Sequence, residues 1–258
     1  MKRGVSRATL ISDGASLGEN VLIGPHTIIY DNVSIGDNTV IGPNCCIGEP
    51  LNAFYEDDEY VNPPLIIGNN SLIRSGVTIY AGSDLGDYLE VYHGTVIRDE
   101  TIMGDHCKIG INCVIQGHCT ILDYVRIHSL VEVGLKSKIG NFVWLYPYSI
   151  LLNDWNPPSN TLVGVTIEDF AIIGSHAILY PGITVGADSL IGAGSHVRED
   201  VPKESVMVGQ PARRICHIWD VKLRNEHTRG YAYPWRFRFE RGMPWEGIGY
   251  DQWMKDQK

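Results

Sequence analysis

The chain contains no stretch of 18 apolar residues, so nothing in it reads as a membrane-spanning helix. Its opening residues, MKRGVSRATLISDG, lack the apolar core of a secretion signal, and a soluble cytoplasmic protein is expected. Positive charge is scarce: 21 Lys and Arg stand against 30 Asp and Glu, a net charge of −9. That balance argues against nucleic acid or an anionic membrane as the main partner. Also missing over most of the chain are the helical period and the plain two-residue strand period.

What is present is a period of six. From Ile67 each hexad opens on an aliphatic: Ile67, Ile73, Ile79, Leu85, Val91, Ile97, Met103, Ile109, and onward through Leu151. Four places after most openers stands a small or β-branched residue, such as Ser71, Val77, Thr95, Cys107 or Val131, with Leu89 as the exception. Glycine often takes second place, as at Gly68, Gly86, Gly104 and Gly140, and is expected to permit a tight corner. Such a repeat predicts a solenoid of very short parallel strands. Each hexad is one side of a triangular prism, and three hexads complete a coil. Coils stack at about 4.8 Å and bury a core that no single coil could bury alone.

The repeat also assigns the cysteines. Cys45, Cys107, Cys113 and Cys119 all fall on the small inward position, where they act as compact core residues, not as disulfide partners or metal ligands. A first block opens on Ile11 and runs through Ile47. An acidic insertion at residues 49–64 interrupts it, and a second insertion, 152–164, separates the main block from the final openers Ile167 to Val197. Insertions in repeat proteins leave at corners and are often functional, so the first is either a solvated excursion or a flap over a substrate or a neighbouring subunit, and the second is a further excursion. The expected organisation is a β-helix over 1–215 and an extension over 216–258. That extension has a short helical segment near 217–226, and it packs on the prism or on a neighbouring protomer.

At this point the chain resembles the left-handed β-helix hexapeptide-repeat acyltransferases, whose pattern is aliphatic–Gly–x–x–small–x. The resemblance implies the left-handed sense, and it covers most of residues 11–215. Val208-Gly209-Gln210-Pro211-Ala212-Arg213-Arg214-Ile215 is similar to the Gly-Asn-Pro-Ala-Lys/Arg segment that closes the helix in coenzyme A-dependent members, with Gln210 in place of Asn. Leu152-Asn153-Asp154-Trp155-Asn156-Pro157-Pro158 resembles the Thr-Asn-Asp…Pro segment of the sugar-nucleotide N-acetyltransferases, with Leu152 in place of Thr. His93-Gly94-Thr95-Val96-Ile97-Arg98-Asp99 and Val125-Arg126-Ile127-His128-Ser129 resemble further segments of the same enzymes.

The resemblance implies an acetyl-CoA-dependent acyltransferase acting on an amino group of a nucleotide-linked deoxysugar, by direct attack in a ternary complex. It implies a homotrimer with its sites between prisms, and no metal. His93, His128 and His118 are the candidate bases, since imidazole titrates in the range that acyl transfer needs. Asn153 would orient the acceptor or hydrogen-bond the thioester carbonyl. With Arg98, these residues are expected around one corner of the prism. Gly174, Ala177, Gly192 and Gly194 would let a pantetheine arm lie against the backbone, and Lys203, Arg213 and Arg214 would meet its phosphates. The aromatic and basic run from Tyr231 to Phe239 suits a subunit interface or a base-stacking surface. Alternatives are a sugar O-acetyltransferase, a γ-carbonic-anhydrase-like metalloenzyme using His93, His118 and His128, and a non-catalytic scaffold.

Overall fold

The structure, a computed structural model, describes residues 8–223 and 232–257. The hexads form three parallel sheets that wrap one prism. Face 1 has ten strands and begins with Leu10–Ile11; face 2 has nine and begins with Ser16–Leu17; face 3 has eleven and begins with Leu22–Ile23. Most strands are only two residues long, an outward residue followed by the aliphatic opener. Register advances by one coil at a time, with Leu10 opposite Ile28 and Glu90 opposite Lys108. The two insertions stretch that step without breaking the stack, so Cys46 pairs with Thr78 and Lys138 with Thr166. The period of six gives the triangular solenoid, and this is the left-handed β-helix that the family resemblance implies.

The core is a single column. Openers such as Ile67, Ile109, Leu145 and Ile173 are fully buried in it. The small inward residue does more than fill space. Thr27 Oγ1 donates to Gly42 O at 2.7 Å and accepts from Cys45 N at 3.1 Å. Thr95 Oγ1 likewise donates to Gly110 O at 2.6 Å and accepts from Cys113 N at 3.1 Å. Thiols take the donor half of this role, as when Cys107 Sγ donates to Leu122 O at 3.0 Å and Cys113 Sγ to His128 O at 3.0 Å. Thr, Ser and Cys recur there because they satisfy corner carbonyls inside a dry prism. Burial pushes the Cys107 thiol up to about 12, which keeps it protonated and inert. All six cysteines are unpaired.

The corner chemistry differs from the sequence expectation. Second-place glycines such as Gly68 and Gly104 do not adopt positive φ; the fourth hexad position does, including Asn38, Asn70, His106 and His118. The glycine is needed because coils approach closely. A Cβ on Gly68 would lie 2.5 Å from both Gly86 C and Asp87 Oδ1, and one on Gly110 would lie 2.4 Å from Ser129 N.

The corner between faces 2 and 3 is held by side-chain ladders. Asp37 N donates to Asn69 Oδ1, Asn69 N to Asp87, Asp87 N to Asp105 and Asp105 N to Asp123, at 2.6–2.8 Å. Beside them Tyr88, His106, Tyr124, Phe142 and Phe170 stack in series, with centroids 4.5–5.2 Å apart. His106 is half-buried within this stack.

Face 3 ends in an antiparallel hairpin, Ser205–Gly209 against Ala212–His217. Beyond it a short 3-10 turn, Ile218–Asp220, occupies the start of the expected helical segment, and the end of that segment lies outside the described residues. The later tail folds back onto the chain's own prism. Trp235, Met243 and Trp245 pack with Phe142 and Ile172 in a second hydrophobic cluster, separate from the core column. Tyr231 lies outside the described residues. The one α-helix among the described residues, Tyr250–Asp256, closes this cluster, and none of the described helices is long and apolar enough to cross a membrane.

Candidate active site

The corner between faces 3 and 1 carries the first group of expected residues. His128 stands at a second hexad position, where most coils place glycine, so its imidazole must point outward. It stacks on Tyr146 at 4.6 Å and tilts against Trp144 at 5.9 Å. Half-buried by these rings, it has its pKa held below the ordinary histidine value by burial alone. His93 lies on the same corner two coils away, roughly 10 Å along the axis. Its Nδ1 sits 2.8 Å from Ser75 Oγ, which fixes the ring and leaves Nε2 turned from that contact.

The sign of the His128 shift has a direct consequence. The neutral ring persists as pH falls, so it can accept a proton across the whole neutral range. Its imidazole is expected to titrate below free histidine when followed by proton NMR, with the resonance assigned by its loss in His128→Asn. A midpoint at or above that of free histidine would refute the desolvated setting.

The expected donor-binding residues divide. Gly174, Gly192 and Gly194 lie on the corner that holds His93 and His128. Gly194 is in the left-handed region at φ +70, and nothing lies within 4 Å of where its Cβ would be. The hairpin turn reaches this corner, where Gln210 Nε2 donates to Gly194 O at 2.7 Å and Gly209 N to Ser195 Oγ at 3.2 Å. Arg213 and Arg214 follow on the exposed hairpin strand. Ala177 faces the core and is fully buried, so it cannot line a surface groove. Lys203 lies against Gly186 at the corner between faces 2 and 3, across face 3 from the glycines. The hexad count assigns these two positions to the interior and to another corner.

His118, Arg98 and Asn153 are not on this corner. They lie where face 1 turns into face 2, and both insertions leave the prism there too. One face therefore separates them from His93 and His128, contrary to the single-corner expectation. His118 Nδ1 is 2.7 Å from Glu100 Oε2, and its Nε2 is 3.8 Å from Asp99 Oδ2. Facing carboxylates through both nitrogens, it belongs to a cluster in which one ligand atom each from Asp99, Glu100 and His118 lies within 4.8 Å of the others. Asn153 Nδ2 donates to Gln116 Oε1 at 3.1 Å, and Gln116 donates to Glu132. Asp154 instead folds its own loop, accepting from Asn156 N and Ser159 N at 2.9 and 2.8 Å.

Face 3 holds polar residues that the sequence reading passed over. Glu90, Lys108 and Arg126 occupy successive rungs, with Lys108 Nζ 2.5 Å from Glu90 Oε1. Burial alone would raise the Glu90 carboxyl, but hydrogen bonds from Lys108 and Tyr92 win and hold it below its ordinary value. A cavity of about 330 Å³ beside them reaches His128, Ser129 and Trp144. Their signal was the 18-residue spacing itself, which makes them rung neighbours. A larger cavity, about 480 Å³, lies on face 2 around Leu122, Lys138 and Glu168 and touches none of the expected site residues.

Comparison with known proteins agrees with the repeat and the fold. The family model for the bacterial transferase hexapeptide (six repeats) matches residues 14–49, 100–134 and 164–199. The galactoside O-acetyltransferase of Escherichia coli K12 is 44% identical over 63 residues, 24% of this chain and 30% of that protein. An acyl-[acyl-carrier-protein]–UDP-N-acetylglucosamine O-acyltransferase of Pseudomonas paraeruginosa is 30% identical over 159 residues, 60% of this chain and 46% of that protein. Among solved structures, the UDP-N-acetylglucosamine acyltransferase of Arabidopsis superposes with a TM-score of 0.50 at 18% identity, covering 83% of this chain and 74% of that one. The chain thus spans less than half the length of these two curated relatives.

Proposed function

The chain is a member of the hexapeptide-repeat β-helix transferases, and from that premise we propose that it transfers an acetyl group from acetyl-CoA to an amino group of a nucleotide-linked deoxysugar. The observation that carries this reading is one corner. His93, His128, Gly174, Gly192, Gly194 and the Gln210 turn all lie along the edge between faces 3 and 1. From the rung of His128 to the closing hairpin there are four steps of stacking, about 19 Å by strand spacing, a length suited to an extended pantetheine arm. Arg213 and Arg214 would meet the phosphates at the hairpin, and the thioester would lie near His128.

The chemistry follows from that placement. A neutral His128 takes a proton from the acceptor as its nitrogen attacks the thioester carbonyl. The resulting imidazolium then returns the proton to the departing thiolate. Close backbone approach at the glycines keeps the arm straight. Assembly as a homotrimer would set the neighbour's corner between faces 1 and 2, with His118 and Asn153, against this groove, where Asn153 would orient the acceptor.

Thiol release tests the reading. Acetyl-CoA, longer acyl-CoAs and an acyl-carrier-protein thioester are offered with a panel of nucleotide-linked amino sugars and their hydroxyl counterparts. Release is expected from acetyl-CoA with an amino sugar. Release only with hydroxyl sugars would move the assignment to O-acetylation, release only from the carrier protein would change the donor, and no release together with no coenzyme A binding would remove the acyltransferase reading.

A further inference from the structure

Among the described residues Arg126 is the only charged side chain with as little as 9% of its surface exposed. None of the described carboxylates lies within ion-pairing distance of it. Its Nη1 donates to His106 O at 2.6 Å and its Nη2 to Gly242 O at 2.8 Å. These carbonyl dipoles hold the guanidinium but do not neutralise it. On the next rung Lys108 is ion-paired with Glu90; Glu90 also acts on Arg126 from beyond ion-pairing distance, and the three-residue row of Glu90, Lys108 and Arg126 keeps a net positive charge. Burial lowers the pKa of Arg126, the direction expected of a desolvated cation. An unpaired buried charge is costly, and folds retain one where an opposite charge arrives from outside.

The surroundings have room for that charge. Lys108 and Arg126 line two cavities, one of about 330 Å³ that reaches His128 and Tyr92, the other of about 370 Å³ that reaches Tyr88 and His106. Two of the guanidinium N–H groups are engaged, and the others remain to donate to a tetrahedral anion. We propose that Arg126 and Lys108 form an anion subsite on face 3, beside His128, that takes a phosphate group of a substrate. The phosphate belongs either to the nucleotide-linked acceptor or to coenzyme A. Only the identity of its carrier rests on the acyltransferase reading; the subsite itself rests on the buried arginine and the net positive charge of its row.

Calorimetric titration with uridine diphosphate and, separately, with coenzyme A tests it on the full chain, as wild type, Lys108→Met and Arg126→Lys. At least one ligand is expected to bind wild type, more weakly as salt rises. Lys108→Met and Arg126→Lys should each weaken that ligand about tenfold or more, the loss of a hydrogen bond to a charged group. The ion pair of Lys108 is with Glu90 and not with the tail, so unchanged tryptophan emission in Lys108→Met separates lost binding from lost tail docking. Weakening confined to uridine diphosphate places the acceptor there, and weakening confined to coenzyme A places the donor. Binding of neither ligand to wild type, or equal binding by all three proteins, overturns the subsite. Thiol release by wild type is scored independently: release with variant-insensitive binding sinks the subsite alone, and variant-sensitive binding of uridine diphosphate with neither thiol release nor coenzyme A binding sinks only the acyltransferase reading.

Discussion

His128→Asn is expected to lower kcat/KM for acetyl transfer by about 10²–10⁴-fold and to leave the thermal transition in place. None of the described hydrogen bonds ties the ring nitrogens of His128 to the fold, so the substitution removes a proton acceptor without breaking a network. What it loses structurally is the stack on Tyr146 and the tilted contact with Trp144. Where the loss falls in that range reports on the acceptor. An amine that is largely unprotonated at the assay pH needs little help, which puts the effect at the lower end, whereas a hydroxyl nucleophile depends on the base and puts it at the upper. His93→Ala should cost less, because its Nδ1 is already engaged with Ser75. Unchanged turnover in His128→Asn, measured with the acceptor found by thiol release, would remove the base from this corner.

The distribution of these residues was readable in part. Aliphatic openers such as Ile109 and Ile127 declared the prism, because only inward burial explains an apolar residue at every sixth place. The same count places His93 and His128 before face 1 and Arg98 and His118 after it. Assigning all of them to one corner treated a neighbouring face as a neighbouring edge. Second-place glycines invited an explanation from turn conformation, but what Gly68 avoids is the coil below, a contact invisible until the coils are stacked. The tail was least legible. Trp235 and Trp245 follow no period, and their partners Phe142 and Phe170 stand at fourth hexad positions, outside the inward openers and small residues of the repeat. Packing decided there, not pattern.

That packing sets the second large effect. Trp245→Ala is expected to destabilise the tail by about 3–5 kcal/mol while the prism stays folded. Trp245 is fully buried, with Phe142, Trp235, Tyr250 and Trp253 at centroid distances of 5.1–5.8 Å. Its Nε1 donates to Phe239 O at 2.9 Å, so truncation also leaves a carbonyl without its donor. The cluster it centres is separate from the core column, and a solenoid draws its stability from contacts between neighbouring coils. Loss should therefore appear as an early transition confined to the tail. Limited proteolysis would cut within residues 232–257 at temperatures where the far-ultraviolet β signal is intact. Undocking would also withdraw Gly242 O from Arg126, opening the anion subsite to water and weakening phosphate binding in step with tail release. If the β signal collapsed together with the tail, the two clusters would be one cooperative unit, and the tail would be a strut of the prism and not a wall beside its face 3 cavities.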